Sequence, residues 1–292
     1  MPTRRPATIV ARTRREAQAW SNQVHAQGKR IAFAPTMGAL HAGHLSLIAT
    51  GREHADVVAS SIFVNPTQFS ANEDFSTYPR HEQQDIAMLA EAGCSFVYCP
   101  TVSEMYPPGD STRVSVRDLA HVLEGEVRPH FFEGVATVVS RLFLHVGPDV
   151  AVFGEKDYQQ LLVIRRMAQD FGFPIEVLGA PTVREADGLA MSSRNVHLNP
   201  EQRELAIGLS RAMRRAIDVI EAGLSMRGAT EAARAELIEL GFDSVDYVEA
   251  RRADTLAPFG SETAPTGAHG RVLAAARLGK TRLIDNMPFQ RK

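Results

Sequence analysis

Ile31-Ala-Phe-Ala-Pro-Thr-Met-Gly-Ala-Leu-His-Ala-Gly-His-Leu-Ser-Leu-Ile48 decides the fold. It opens as an apolar run, Ile31 to Ala34, behind the cations Lys29 and Arg30, which is the pattern of a buried strand. Leu45, Leu47, Ile48 and Ala49 then supply an apolar helical face, and Pro35 and Gly38 break the backbone between the two. His41 and His44 fall on the same side of the first helical turn, because residues three apart on a helix are neighbours. Gly43 leaves room for a ligand to lie against backbone N–H groups at the helix's positive end. Two neutral imidazoles there are donors for phosphate oxygens. Plainer readings exist: a His at a helix start commonly caps, and H-x-x-H is half of a metal site. Against metal, no Cys or acidic third ligand stands nearby, and Met37 through Leu40 holds nothing that coordinates a hard ion. Nucleotide binding is the stronger expectation.

Working outward, short apolar runs alternate with helical patterns. Ile31 to Ala34, Val57 to Val64, Phe96 to Cys99, Val150 to Phe153 and Ile175 to Leu178 read as strands, with helices near 43–54, 81–92, 134–146 and 156–171. This order predicts the α/β class: a doubly wound, Rossmann-like parallel sheet domain over residues 1–182, followed by a smaller α+β domain over 183–292. Ligands of such sheets bind beyond the carboxyl ends of the strands, where the winding reverses. Three polar clusters each follow a strand: Met37 to His44, Asn65-Pro-Thr-Gln68, and Gly154-Glu-Lys-Asp157. Their placement predicts one shared site. Beyond Pro181-Thr-Val-Arg184 the pattern changes. Asn199-Pro200 opens a long helix striped by Leu205, Leu209, Ala212, Ala216 and Ile220, a second helix precedes Gly241, and Val245 to Val248 and Val272 to Ala276 suggest strands.

Composition narrows the partners. At 292 residues, with 44% hydrophobic and 23% charged residues, the chain buries a full core and exceeds one average domain. Its 32 basic and 34 acidic residues give a net charge of -2, so there is no general attraction to nucleic acid or to an anionic membrane. Small molecules are the expected partners. The first thirty residues are basic, with Arg4, Arg5, Arg12, Arg14, Arg15, Lys29 and Arg30 against Glu16 alone. That bias mimics a transit peptide, but Ala11, Ala17, Trp20 and Val24 give a packing face and predict a structural helix instead. No signal core or spanning run is present in the sequence. Cys94 and Cys99 form no metal or redox motif and are expected to be buried in a cytoplasmic protein.

The remaining chemistry lies in single residues. Lys156 stands where a strand ends and a helix begins, a place whose field disfavours a cation unless an anion is bound; otherwise it pairs with Glu155 or Asp157. Asp157 accepts from ribose hydroxyls or caps its helix. Ser192-Ser193-Arg194 offers two hydroxyls and a planar guanidinium to a polyphosphate, or is an ordinary turn. Gln68 and Gln160 can orient a hydroxylated acid without competing for its charge.

Together these stretches resemble the pantothenate synthetase family of pantoate–β-alanine ligases. The likeness runs through Pro35 to His44, Phe63-Val-Asn-Pro-Thr-Gln-Phe69, Tyr78-Pro-Arg80, Phe153-Gly-Glu-Lys-Asp-Tyr-Gln-Gln160, Arg184 to Asn195 and Leu283-Ile-Asp-Asn286. The H-x-G-H element is shared with a wider nucleotidyltransferase superfamily that includes class I aminoacyl-tRNA synthetases; the two glutamine motifs are not. The resemblance implies an ATP site of Met37, Gly38, His41, Gly43, His44, Gly154, Lys156, Asp157, Val183, Met191, Ser192, Ser193 and Arg194, with His44, His41 and Lys156 catalytic. It implies that Gln68 contacts pantoate and β-alanine, that Gln160 contacts pantoate, that Arg128 touches phosphate or substrate, and that Asp85 is associated with Mg2+. It also implies a homodimer, and a reaction through pantoyl adenylate that releases AMP and pyrophosphate. Ser192 to Arg194 lie at the domain junction, so the C-terminal domain is expected to act as a lid over ATP. One departure stands out. After Arg128-Pro129 the family usually reads Gly-His-Phe, whereas this chain reads His130-Phe131-Phe132, so the usual imidazole's role is not carried to Phe131.

Overall fold

The computed structural model describes residues 7–70 and 75–292. Arg4 and Arg5 of the basic N-terminal run lie outside the described residues. Two compact units emerge. The first takes Met1–His121, Arg128–Glu155 and Val163–Pro181; the second takes Val122–Val127, Lys156–Leu162 and Thr182–Lys292. The second thus includes two short upstream segments that a single cut of the sequence does not anticipate.

The first unit carries β1 (Ile9–Ala11), α1 (Arg14–Ala26), β2 (Ile31–Thr36), α2 (Ala42–His54), β3 (Val57–Ile62), α3 (Glu82–Ala92), β4 (Phe96–Tyr98), α4 (Val102–Met105), α6 (Phe131–Val146), β5 (Val150–Gly154) and β6 (Glu176–Ala180). Helix α5 (Glu124–Val127) falls in the second unit, and the division cuts α7 (Tyr158–Asp170) after Leu162. The strands pair in parallel in the order β1-β4-β3-β2-β5-β6. From β2 the chain winds outward through β3 and β4, then returns to place β5 on the other side of β2. The winding therefore reverses between β2 and β5, which opens a crevice at their carboxyl ends.

Strand alternation divides the core between two faces. Ala32 and Ala34 of β2 pack with Leu47 and Ile48 of α2 and with Leu89 of α3. The approach is close: a Cβ on Gly51 of α2 would stand 3.1 Å from that of Ala32. Elsewhere in the sheet layer Trp20 of α1 stacks on Phe96 of β4 with ring centroids 4.2 Å apart. Cys94 and Cys99 are buried as expected, and burial pushes both thiols up to about 12, which leaves them inert. Ala11 differs from the sequence reading. Thr13 caps α1 in a capping box with Glu16, so the helix starts at Arg14 and Ala11 pairs in β1 opposite Tyr98.

The second unit is α+β. Helices α8 (Pro200–Glu221) and α9 (Met226–Glu239) share a core with the antiparallel strands β7 (Ser244–Arg252), β8 (His269–Leu278) and β9 (Thr281–Gln290). Asn199 and Gln202 form a capping box at α8, with Pro200 at its first position. Val272, Ala274, Ala276 and Leu278 of β8 and Leu283, Met287 and Phe289 of β9 join the helices' core. By alternation Arg271, Arg282 and Asn286 belong to the opposite face of the sheet, and this face carries the upstream segments. Arg282 donates to Glu124 at 2.7 Å and to Asp246 at 2.6 Å, and Gln159 accepts from the Glu124 N–H and donates to the Val122 carbonyl. No helix among the described residues is long and apolar enough to cross a membrane.

Candidate active site

The connection from β2 to α2 forms its own helix cap. His41 is the N-cap of α2, and its Nδ1 accepts from the Gly43 N–H at 3.1 Å. His44 reaches back three residues, its Nδ1 accepting from the His41 N–H at 3.3 Å. Two imidazoles thus occupy the capping-box positions usually held by Ser or Thr and Glu. Their rings stand 4.1 Å apart. A ring nitrogen that accepts a backbone N–H is unprotonated, so the proton of each neutral ring is on Nε2. Both imidazoles are therefore Nε2–H donors at the positive end of a helix.

Asp85 fixes the loop in front of this cap. It is 2% exposed, and its two oxygens accept from the Ala39 and Leu40 N–H groups at 2.9 Å each. Gly38 has φ +83 and lies so close to Asp85 that a Cβ would stand 2.8 Å from Oδ2. Only glycine combines that left-handed backbone with that approach.

Gln68 is set by a second device. Asn65, 1% exposed, caps the turn Pro66–Gln68, and its Nδ2 donates to Gln68 Oε1 at 3.0 Å and to the Gly134 carbonyl at 3.2 Å. Gln68 Nε2 in turn points at Met37 Sδ, 3.1 Å away. Gly134 lets α6 reach the turn: a Cβ there would stand 2.4 Å from the Thr67 carbonyl oxygen. Arg128 Nη2 donates to the Gln68 carbonyl at 3.1 Å, while its guanidinium lies 3.9 Å from the centroid of Phe131. The first unit therefore brings together Met37, Gly38, His41, Gly43, His44, Gln68, Asp85 and Arg128, with Gly154 ending β5 beside Leu47 of α2.

The second unit holds Lys156, Asp157, Gln160, Val183, Met191, Ser192, Ser193 and Arg194. Lys156 and Asp157 follow β5 directly in a short 3-10 turn, with Nζ 3.9 Å from Asp157 Oδ1 and the Lys side chain 19% exposed. Val183 accepts from the Met191 N–H at 3.0 Å, closing the loop that leads to Ser192. Ser192 then caps the 3-10 turn Ser193–His197 by accepting from the Arg194 N–H. Arg184 spans the loop, donating to the Gly188 carbonyl and bidentately to Asp285 at 2.7 and 2.9 Å. Sequence reading assigned no role to Asn65, Gly134, Asp285 or Asn286. Asn65-Pro66 is a turn signature, and the polar Asp285-Asn286 pair between Ile284 and Met287 is the other visible signal.

No cluster of three His, Cys, Asp or Glu side chains suited to a metal ion occurs among the described residues. A magnesium ion bound with a triphosphate needs only one or two carboxylates, because phosphate and water supply the rest. Asp85 fits that lesser demand, since each oxygen keeps acceptor capacity beyond its one backbone bond. A cavity of about 260 Å³ bordered by Met37, Phe63, Arg80 and Asp85 lies in the first unit. It falls below the roughly 300–1,000 Å³ of ordinary small-molecule sites, so alone it does not house a nucleotide.

Known proteins share this architecture along the whole chain. The family model for pantoate-beta-alanine ligase matches residues 9–288. A pantothenate synthetase of Hyphomonas neptunium is 52% identical over 98% of both chains, and one of Caulobacter vibrioides is 52% identical over 95% of this chain and 96% of its own. The crystal structure of pantothenate synthetase from Thermus thermophilus superposes with a TM-score of 0.88 at 46% identity, over 96% of this chain and 99% of that one. The pantoate-beta-alanine ligase of Francisella tularensis, complexed with beta-gamma ATP and beta-alanine, gives 0.81 at 34% identity over 96% and 97%. Matched by that family model over residues 9–288 and by relatives about half identical over nearly their whole length, the chain belongs to the pantoate–beta-alanine ligase family of enzymes.

Proposed function

We propose that this enzyme joins pantoate to β-alanine in two steps at one ATP site, through pantoyl adenylate. An ionised carboxylate and an amine do not condense unaided at neutral pH, and ATP supplies the leaving group. A carboxylate oxygen of pantoate attacks the α-phosphorus, the bond to the β-phosphate oxygen breaks, and pyrophosphate leaves. The neutral amine of β-alanine then attacks the acyl carbon, the bond to AMP breaks, and the nitrogen loses a proton as the amide forms. The carboxylate needs no base, so donors placed where phosphate charge grows matter most.

The observation that carries this reading is the His41–His44 cap, which leaves both rings as Nε2–H donors beside the β2 end of the sheet's switch point. In the proposal His41, His44, Lys156, Ser192, Ser193 and Arg194 donate to the phosphates, Met37, Gly38, Gly43 and Gly154 line the nucleotide, and Asp157 accepts from the ribose. Val183 and Met191 offer backbone groups to the base. Gln68 and Gln160 orient pantoate, Gln68 also meets β-alanine, and Arg128 supplies a further cation. Magnesium, when bound with ATP, offsets phosphate charge, and Asp85 is the carboxylate proposed to face it. Closure of residues 183–292 as a lid, a homodimer and a cytoplasmic location belong to the same proposal: the first is supported by the place of Ser192 to Arg194 in the sequence, the second by the family likeness and the third by two thiols without a disulfide or metal motif.

Exchange of labelled pyrophosphate into ATP tests the first step. Exchange that requires pantoate but not β-alanine is the expected result, with AMP formed once β-alanine is added. Exchange independent of pantoate, or a dinucleotide product without AMP, would point to another nucleotidyl transfer. ATP binding without any turnover would mean a pocket that has lost its chemistry.

A further inference from the structure

Asn286 does more than fill strand β9. It is 3% exposed; its Oδ1 accepts from Arg271 Nη1 of β8, and its Nδ2 donates to the backbone carbonyl of Lys156 at 2.8 Å. Arg271 lies in turn against the ring of Tyr158, 3.7 Å from its centroid, and the Tyr158 hydroxyl donates to the Ala253 carbonyl at 2.9 Å. The segment Lys156–Tyr158 is thus held by its backbone and its ring, both times through the same two neighbouring strands. We infer that Asn286 is a positioning residue for Lys156, with Arg271 fixing the amide that does the positioning. This rests on the proposed role of Lys156 at the phosphates.

The physical reason is the length of a lysine side chain. Its four-carbon stem swings freely unless the backbone beneath it is fixed, and the Nζ–Asp157 contact at 3.9 Å is too long to fix it from the tip. The bond from Asn286 Nδ2 pins the carbonyl of the same residue that bears the amine. A displacement of about 1 Å at a catalytic group can lower a rate on the order of 100-fold. Position 286 is therefore expected to affect turnover while making no contact with substrate. Asn is also the side chain the geometry requires: one end accepts from a guanidinium while the other donates to a carbonyl, which neither Asp nor Leu can do.

Three substitutions in the full-length enzyme, made singly and with Lys156→Ala combined with each change at position 286, test this, each variant followed by thermal unfolding and by pantoate-dependent pyrophosphate exchange. Asn286→Asp keeps the acceptor for Arg271 and loses the donor to Lys156; Asn286→Ala loses both. Either is expected to lower kcat/KM for ATP by on the order of tenfold or more, with Asn286→Asp unfolding close to the wild-type temperature. In the Lys156→Ala background the same substitutions should add little, because residues acting through one group do not combine additively. A folded Asn286→Asp enzyme with wild-type kcat and KM for ATP overturns the inference, as do effects that multiply fully with Lys156→Ala. Wild-type exchange in Lys156→Ala alone would instead overturn the role of Lys156, so the two failures are separable.

Discussion

The two units hold their candidate site residues by different means. In the first, the imidazoles and the glutamine turn are held by bonds short in sequence, His41 and His44 capping the helix they sit on and Asn65 capping the turn that carries Gln68, while Asp85 braces the loop before the cap across 46 and 45 residues. In the second, the bonds come from strands far along the chain. Asn286 reaches Lys156 across 130 residues, Asp285 reaches Arg184 across 101, and Arg282 reaches Glu124 across 158. Local caps are worth about 1 kcal/mol each and form with the helix itself. Remote buried pairs exist only once the whole unit has folded, and they are costly to leave half made. The imidazole pair of the first unit is therefore held by bonds within its own helix, whereas Lys156 and Arg184 of the second unit depend on strands that are in place only when its core is complete.

The sharpest way to break this contrast is Asp285→Ala. By alternation Asp285 points into the helix side of the sheet, where it is 4% exposed and accepts two guanidinium bonds of Arg184, one on each oxygen. Removing it takes away the counter-charge of Arg184, which keeps the Gly188 carbonyl, and breaking a buried ion pair in this way costs about 3–5 kcal/mol. The lower end is expected, since the Arg184 side chain keeps 24% exposure. Urea unfolding measures the loss. A cost of about 1 kcal/mol or less would make the remote bond no stronger than a cap and erase the distinction.

The next effect is on rate. His44→Ala should slow pantoate-dependent pyrophosphate exchange on the order of 100-fold, the scale of a lost transition-state donor, and should also lose the bond to the His41 N–H. His44→Gln separates the two, because Gln is a natural third residue of a capping box. It should restore stability while leaving exchange impaired. If His44→Gln recovers full activity, the imidazole is only a cap. Smaller again is Gly134→Ala, whose new methyl would press on the Thr67 carbonyl at 2.4 Å. Overpacking against backbone is expected to cost about 2 kcal/mol and to raise KM for pantoate, since the turn that moves carries Gln68. Unchanged KM would mean that the turn does not set Gln68.

The contrast also explains what could be read in advance. Five of the sheet's six strands were legible because they are apolar runs alternating with striped helices, both of which are local patterns; β1, three residues long and at the edge, was not. The site's first half was legible for the same reason: His41, Gly43 and His44 act within one turn of chain. β9 carries alternating apolar residues at Leu283, Met287 and Phe289, yet Arg282, Asp285 and Asn286 interrupt the pattern and hide the strand. Those three residues are polar because they hold Glu124, Arg184 and Lys156, and nothing near them in sequence reveals such partners. The assignment of Val122–Val127 and Lys156–Leu162 to the second unit was hidden likewise, being fixed by Arg282, Gln159 and Asn286 rather than by composition.

The finest test lies at Phe131, the first residue of α6. In the first unit it supplies a holding contact between side chains, as its ring lies 3.9 Å beneath the Arg128 guanidinium. A cation over an aromatic face at a partly exposed site is worth about 0.5–1 kcal/mol. Arg128 is tied at its other side to the Gln68 carbonyl, so the ring and the carbonyl together set the plane of the guanidinium. Phe131→Ala removes the ring and leaves the bond to the Gln68 carbonyl. If Arg128 serves pantoate, KM for pantoate should rise about two- to fivefold, the equivalent of that energy at about 1.4 kcal/mol per tenfold, with KM for ATP unchanged. Phe131→Tyr keeps the ring and should behave as wild type. An unchanged KM for pantoate in Phe131→Ala would show that the ring is dispensable, and that this unit does not set its cation through the aromatic face.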